Sequence, residues 1–204
     1  KDATKPTLPP ALVQEVRETS ARMDREISDG YERMAVITAV AYLQGQAGLW
    51  TDSDALLKGN LAKALSPYYL MSQLGSNAKK LGRKDEALRW YQQAYDTSEG
   101  PATRLQWGAS YLNALVDLAP ADAARIEKTA AKLFAEAALD KGAFHERSAR
   151  ALQRVGKKLG SWNADGKHAA ALKRLQAQLD GVCAKVEAAD GQRATCAAVL
   201  PRKS

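Results

Sequence analysis

The segment from Tyr68 to Pro101 constrains the fold more than any other part of the sequence. Apolar residues first recur at steps of three and four, as on one face of a helix, at Leu70, Met71, Leu74, Ala78 and Leu81. After a short turn the same spacing returns at Ala87, Leu88, Tyr91, Ala94 and Tyr95. Gly82 favours the left-handed conformation that ends a helix, and Asp85 favours the start of the next one. The segment therefore predicts two amphipathic helices that form an antiparallel hairpin.

The small and large residues of this hairpin match the pattern of a tetratricopeptide repeat, whose period is about 34 residues. Gly75, Ala87 and Ala94 allow the two backbones to approach, while Leu74 and Tyr91 fill the remaining space. The match predicts that the hairpin is one unit of a repeat array. An ordinary antiparallel helical hairpin in an alanine-rich chain is the alternative interpretation.

Two further helix pairs resemble weaker copies of the same unit. Gly48 lies one such period before Gly82, and Trp107 begins a pattern that lies nearly one period after Leu74. We therefore expect an all-α fold, a tetratricopeptide-like solenoid of helical hairpins with a C-terminal helical cap. The expected organisation is a linker over residues 1–10, helical repeats over 11–142, and a C-terminal helical hairpin and cap over 143–204.

The composition is typical of a folded, helical protein. Hydrophobic residues make up 46% of the chain, and most are Ala and Leu, which favours helices over strands. No stretch approaches the roughly 18 apolar residues that a membrane-spanning helix requires. The formal net charge is +7, and we interpret the densest basic patch as a solvated helix face, formed by Arg147, Arg150, Arg154, Lys157 and Lys158. Because no aromatic groove or known motif accompanies this patch, a nucleic-acid partner is not expected.

The two cysteines, Cys183 and Cys196, flank a predicted turn at residues 188–190. In an antiparallel helical hairpin the two cysteines would lie at the same level along the helix axes. Their Cα atoms would then be about 4.4–6.8 Å apart, the separation that a disulfide requires. A disulfide here would attach the last helix to the rest of the protein and indicate an oxidising compartment. Two buried free thiols in a cytosolic protein are the alternative.

Catalytic and metal-binding motifs are missing from the sequence. The two histidines, His145 and His168, have no other ligand-type residues at the spacing of a metal site, so we expect surface or cap positions for both. No nucleophile elbow, phosphate-binding loop or metalloprotease motif occurs. We therefore expect this segment to be non-catalytic and to use no cofactor or metal.

Polar residues on one flank of the repeat helices form the candidate partner-binding surface. The first helix of the central hairpin carries Tyr69, Gln73, Asn77 and Lys80 on this flank. The equivalent flank of the next pair carries Gln106, Ser110 and Asn113. Because such helices line the concave surface of repeat solenoids, these side chains are expected to form a groove for a protein or peptide. A plain solvated face is the alternative.

Two runs resemble the C-terminal region of bacterial exported thioredoxin-family proteins: SPYYLMSQLGSNAKKLGRKDEALRWYQQAYDTSEGPATRLQWGASYLNALVDLAP and HAAALKRLQAQLDGVCAKVEAADGQRATC. In that family a thioredoxin-like domain precedes a linker and a tetratricopeptide-like helical region. The resemblance implies a periplasmic or secreted location and an attached thioredoxin-like domain upstream of Lys1. It transfers no functional residues, because the redox motif of the family would lie outside this sequence.

Three functional hypotheses follow, and each requires a different surface. A protein-interaction module requires an open face with Tyr69, Asn77 and Asn113 exposed. A structural role in self-association requires a large apolar surface that remains after folding. A redox role for Cys183 and Cys196 requires an accessible disulfide that is easily reduced. The interaction module is the leading hypothesis.

Overall fold

The computed structural model describes residues 5–187 and 191–200, and every regular element within these ranges is helical. The all-α part of the prediction is confirmed. The chain divides into two compact units, Lys1–Thr97 and Ser98–Ser204, which we describe separately as unit 1 and unit 2. The boundary between them lies between the second and third of the predicted helix pairs.

Residues 5–97, the described part of unit 1, form five α-helices and one short 3-10 helix. Their bounds are α1 Pro10–Glu26, α2 Gly30–Gln46, α3 Trp50–Asn60, the 3-10 helix Leu61–Lys63, α4 Pro67–Lys80 and α5 Lys84–Thr97. Helix α2 packs against α3 and α4, α3 packs against α4, and α4 packs against α5. The α2–α3 and α4–α5 pairs are therefore adjacent helical hairpins, in agreement with the predicted order of elements.

The core of unit 1 joins both hairpins. Ile37 and Ala41 from α2 meet Leu57 from α3 and Leu70 and Leu74 from α4, and all five are buried. The four-residue steps from Ile37 to Ala41 and from Leu70 to Leu74 place each pair on one face of its helix. Burial of each isoleucine or leucine in this cluster contributes about 1.5–3 kcal/mol to the stability of the unit.

Close backbone packing in unit 1 depends on glycines that the sequence singled out. A Cβ atom at Gly75 would lie 3.0 Å from the Tyr91 ring, so this glycine lets α5 approach α4. Gly48 and Gly82 end α2 and α4 with φ angles of 77° and 74°, which favour glycine. The two turns, which lie one repeat period apart in the sequence, thus share the same backbone conformation.

Residues 5–8, predicted to belong to a linker, lie against the α2–α3 turn. The Thr7 N–H donates to the Ala47 carbonyl at 2.9 Å, and the Lys5 carbonyl occupies the space where Gly48 would carry a Cβ. Leu8 packs beside Val13 in a small apolar cluster. The described end of the predicted linker is therefore part of unit 1.

Arg33 of α2 ties three segments of unit 1 together. Its Nη1 donates to the carbonyl oxygens of Asp24 and Ile27 at 2.6 and 2.7 Å. Its Nη2 donates to the Asp24 carboxylate and, at 2.6 Å, to Oδ1 of Asn60. One largely buried guanidinium thus links the end of α1, the α1–α2 connection and the end of α3.

Unit 2 contains α6 Pro101–Leu118, α7 Ala123–Leu139, α8 Glu146–Trp162, α9 Ala169–Cys183 and α10 Gln192–Ala197. Helix α6 packs against both α7 and α8, while α9 packs against α7 and α10. The predicted third pair, α6–α7, therefore shares a compact unit with the C-terminal helices. The sequence pattern instead groups this pair with the repeats, because Trp107, Gly108 and Tyr111 of α6 echo the pattern of α4.

The C-terminal segment is fixed to unit 2 at two places. A disulfide joins Cys183 of α9 to Cys196 of α10, with 5.6 Å between their Cα atoms. The Val199 carbonyl lies against Gly156 of α8, where a Cβ atom would overlap it. Val199 and Leu200 are both buried, as expected for a terminal element that covers the end of a helical core.

Candidate functional site

Helix α2 has an open face without charge. From Met34 to Gln46 it contains no Asp, Glu, Lys or Arg, although surface helices of globular proteins normally carry charged residues on their outer side. Tyr42 is nevertheless 58% exposed and Leu43 61% exposed. A helix that is apolar around its circumference is usually buried, so this exposed part of α2 has the character of a contact surface.

Helix α4 continues this surface. Tyr69 is 40% exposed, one turn before Gln73, whose side chain meets α2. In the orientation that satisfies both ends of its amide, Gln73 donates to the Thr38 carbonyl at 3.2 Å and accepts from the Tyr42 N–H at 2.7 Å. We call the surface formed by Tyr42, Leu43, Tyr69 and Gln73 the α2–α4 face.

The exposed apolar surface extends to the beginning of α2. Tyr31 is 82% exposed and Leu65 is 60% exposed. Leu65 lies next to the backbone of Gly30, because a Cβ atom there would be 3.2 Å from its Cδ1 atom. Apolar side chains are therefore available near both ends of α2, over about 20 Å of helix.

Asn77, predicted to lie in the groove, is instead 4% exposed and belongs to the interior of unit 1. Its Nδ2 donates to Ser53 Oγ and to Asp54 Oδ1, both at 2.9 Å, and the Ser53 hydroxyl donates to the Ala41 carbonyl at 2.7 Å. The amide thus satisfies a buried carboxylate and joins α4 to α3. Asn77 therefore lies inside unit 1, where the buried Asp54 carboxylate needs a hydrogen-bond donor.

Lys80, the last predicted residue on α4, is exposed in the final turn of the helix. A cation at this end interacts favourably with the carbonyl groups that have no partner within the helix. It lies two turns beyond Gln73, so it borders the α2–α4 face.

The three predicted residues of unit 2 lie along α6. All three are partly exposed, and the Ser110 hydroxyl donates to the Gln106 carbonyl at 3.1 Å. Oε1 of Gln106 and Oδ1 of Asn113 are buried without a hydrogen-bond partner among the described residues. The structure therefore separates the seven predicted residues into one group of four in unit 1 and one group of three in unit 2.

The predicted disulfide is present, which confirms the pairing of Cys183 with Cys196. The first is 7% exposed and the second is fully buried, whereas the redox hypothesis requires an accessible bond. A disulfide is compatible with an oxidising compartment outside the cytosol. The predicted turn at residues 188–190 lies outside the described residues.

Charged side chains of α3, α5 and the α4–α5 turn form a small network. Burial alone would raise the pKa of Glu86, but hydrogen bonds from Trp90 and Arg83 and the nearby charge of Lys58 outweigh it and lower that pKa. Arg83 also approaches Asp54 at 3.5 Å. These interactions link α3 of the first hairpin to the turn and the second helix of the next hairpin.

The histidines occupy helix starts. His145 precedes α8 and His168 precedes α9, each at the N-cap position, and His168 stacks on Trp162 with 3.7 Å between ring centroids. Within residues 5–187 and 191–200, no group of three His, Cys, Asp or Glu is arranged to hold a metal ion. No helix in these ranges is both long and apolar enough to cross a membrane.

Sequence reasoning missed Tyr42 and Leu43, although α2 carries a readable signal. The uncharged run from Met34 to Gln46 is long enough for nearly four helical turns, and no single stripe explains all of its apolar residues. With Ile37 and Ala41 in the core, Tyr42 and Leu43 lie about 100° and about 200° further around the helix than Ala41, and both are exposed. The surface predicted from the sequence consists of polar flanks of α4 and α6, so it does not include these apolar residues of α2.

No family model, curated protein or solved structure matches this chain.

Proposed function

We propose that the chain is a protein-interaction module and that unit 1 binds an uncharged, apolar segment of another protein at the α2–α4 face. The observation that carries this proposal is the exposure of Tyr42 and Leu43 on a helix that has no charged residue from Met34 to Gln46. Tyrosine is enriched among the residues that dominate binding at protein interfaces, and the buried centre of such interfaces is depleted of charged residues.

In this proposal, the two hairpins of unit 1 are tetratricopeptide-like repeats. The matching φ angles of Gly48 and Gly82, and the close contact of Gly75 with Tyr91, support this interpretation. Helices α2 and α4 would be the first helices of successive repeats, which line the binding surface in arrays of this kind. A peptide that lies along both helices would then contact Tyr42 and Tyr69 together.

The resemblance to exported thioredoxin-family proteins supplies the second part of the proposal. The module would hold a protein partner near an attached thioredoxin-like domain, in the periplasm or outside the cell. The Cys183–Cys196 disulfide supports an oxidising compartment, and its burial supports a structural role for this bond.

Selection from a library of displayed random peptides tests the binding function directly. The enriched peptides are synthesised, and their Kd values are measured by fluorescence anisotropy against the wild type and a Tyr42→Ser/Leu43→Ser variant. Loss of about 1.5 kcal/mol for each anchor weakens binding roughly 100-fold in total. The matched control is Leu139→Ser, which removes a side chain that is 87% exposed in unit 2 and should leave the Kd unchanged.

Self-association is the second candidate function, and the same exposed face favours it. Sedimentation velocity over a range of concentrations separates the two. A monomer that binds selected peptides supports the interaction module. A dimer that the Tyr42→Ser/Leu43→Ser variant converts to monomer supports self-association. If the selected peptides bind the variant as tightly as the wild type, the α2–α4 face is not the binding site.

A further inference from the structure

Helix α8 carries a row of four exposed cations along its outer side. Arg147, Arg150, Arg154 and Lys157 follow one another at steps of three, four and three residues, which places them on one side of the helix. All four are exposed in unit 2. We call this row the α8 basic stripe; it spans about 15 Å along the helix axis.

The stripe has no acidic partner within the part of the chain that the structure describes. None of the four cations forms an ion pair there, whereas the neighbouring Lys158 pairs with Asp117 at 2.5 Å. The only carboxylate on α8 is Glu146, at the first position of the helix. The sequence interpretation of a solvated face therefore leaves this concentration of unpaired charge unexplained.

Holding these charges together has an energetic cost. Like charges three or four residues apart on a helix destabilise it, and the stripe contains three such neighbouring pairs. Exposed helix faces normally mix both signs, which reduces this repulsion. An anionic ligand along the row would remove the repulsion and gain three bidentate guanidinium contacts.

We infer that the α8 basic stripe binds the acidic face of a helix in a partner protein. Charge complementarity identifies this partner, since glutamates spaced three, four and three residues apart on a second helix would oppose the four cations. Past the stripe, a Cβ atom added at the exposed Gly160 would meet nothing within 4 Å, so the surface of α8 is open at that position. This inference does not rest on the proposed function, because it concerns a different unit and a charged surface.

The features of α8 favour an acidic helix over the other polyanions. Its exposed side offers no large apolar side chain to enter a membrane, since the remaining exposed residues after Arg147 are Gln153, Gly160 and Ser161. It also lacks an exposed aromatic ring on which a nucleic-acid base would stack. A single row of cations along one helix matches the single row of carboxylates on an amphipathic helix.

The test uses a synthetic alanine-based helical peptide with glutamates at the three, four, three spacing. Its affinity is measured by fluorescence anisotropy for the wild type and for Arg150→Glu/Arg154→Glu, which preserves helix propensity. We expect binding to weaken at least about tenfold in this variant. The matched control, Lys128→Glu/Lys173→Glu, changes the net charge equally on exposed sites of α7 and α9 and should bind like the wild type.

Two further comparisons make the result decisive. A peptide with the same composition but with its glutamates distributed around the helix should bind more weakly, and so should the glutamine version. Binding of the original peptide should fall when salt is raised from about 50 to about 200 mM. Equal affinity of both charge-reversal variants would overturn the inference, because only net charge would then matter. Stripe-dependent binding to a DNA duplex or to phosphatidylglycerol vesicles, without binding to the peptide, would overturn it as well.

Discussion

Two glycines of α8 provide a matched test of how the C-terminal segment packs. Gly156 and Gly160 lie one turn apart in the same helix, and neither has a positive φ angle. A Cβ atom at Gly156 would overlap the Val199 carbonyl, whereas a Cβ at Gly160 would meet no atom within 4 Å. The substitutions Gly156→Ala and Gly160→Ala therefore differ chiefly in this contact.

The expected free energies have opposite signs. Replacing an exposed helical glycine by alanine stabilises by about 0.5–1 kcal/mol, which applies to Gly160→Ala. At Gly156 the same gain is opposed by displacement of the Val199 backbone, and a backbone carbonyl cannot rotate away as a flexible side chain can. Val199 and Leu200 are buried and would lose part of their packing. With an overpacking cost of about 1–3 kcal/mol, we expect Gly156→Ala to be destabilising by up to about 2 kcal/mol.

Urea denaturation followed by circular dichroism measures both variants under identical conditions. We expect the midpoint to rise for Gly160→Ala and to fall for Gly156→Ala. The overpacking cost alone separates their free energies of unfolding by about 2 kcal/mol. Repeating the pair in a Cys183→Ala/Cys196→Ala background tests whether the disulfide holds Val199 in place. The penalty at Gly156 should decrease there, because the segment is freer to move.

Equal stabilisation by the two substitutions would refute this account of the packing. It would mean that residues 199–200 leave space for a methyl group beside α8. A penalty at Gly156 that is unchanged without the disulfide would instead show that the contact is held by other parts of unit 2.

Three other perturbations test features described above. Asn77→Ala should lower the free energy of unfolding by about 1–3 kcal/mol in urea titrations, because it removes the donor to Oδ1 of the buried Asp54 carboxylate and leaves only the longer contact with Arg83; stability equal to the wild type would contradict the internal role of this amide. Removing the Cys183–Cys196 bond by alanine substitution should cost about 3 kcal/mol, the chain-entropy value for a loop of this size, and calorimetry would detect the lower Tm. Glu127→Gln should lower the Tm slightly at neutral pH, because hydrogen bonding to its arginine partner on α9 keeps the pKa of this carboxyl below its ordinary value. That carboxylate stabilises the folded state above its unfolded pKa and loses this effect as pH falls through the lower folded pKa, so the two proteins should converge in acid; a constant difference in Tm would refute the assignment.

Local patterns made the helices predictable, because their determinants lie within a few residues of one another. The α4–α5 hairpin follows from apolar spacing, Gly82 and the small residue at position 75, and the structure reproduces each of them. The disulfide was equally predictable from the sequence, since a short connection between two helices limits how far apart the two cysteines can lie. Helix periodicity thus accounts for the elements and their sequential neighbours.

The candidate site depended on contacts that the sequence does not display. The period placed Asn77 on a polar flank of α4, but its partners Ser53 and Asp54 lie on a different helix, far earlier in the chain. That flank of α4 is buried only because α3 packs against it. Conversely, the exposure of Tyr42 on the uncharged α2 depends on which neighbouring helices cover each side of α2, and the sequence of α2 alone does not contain that information.

The hydrogen bonds of Arg33 imply joint constraints on sequence divergence. Four acceptors from three segments surround one guanidinium, so a lysine at this position would leave several of them unpaired. The side chains of Asp24 and Asn60 are also hydrogen-bonded to each other, at 3.1 Å. In natural variants the residues at positions 24, 33 and 60 should therefore change together. These positions should covary even though up to 36 residues separate them in the sequence.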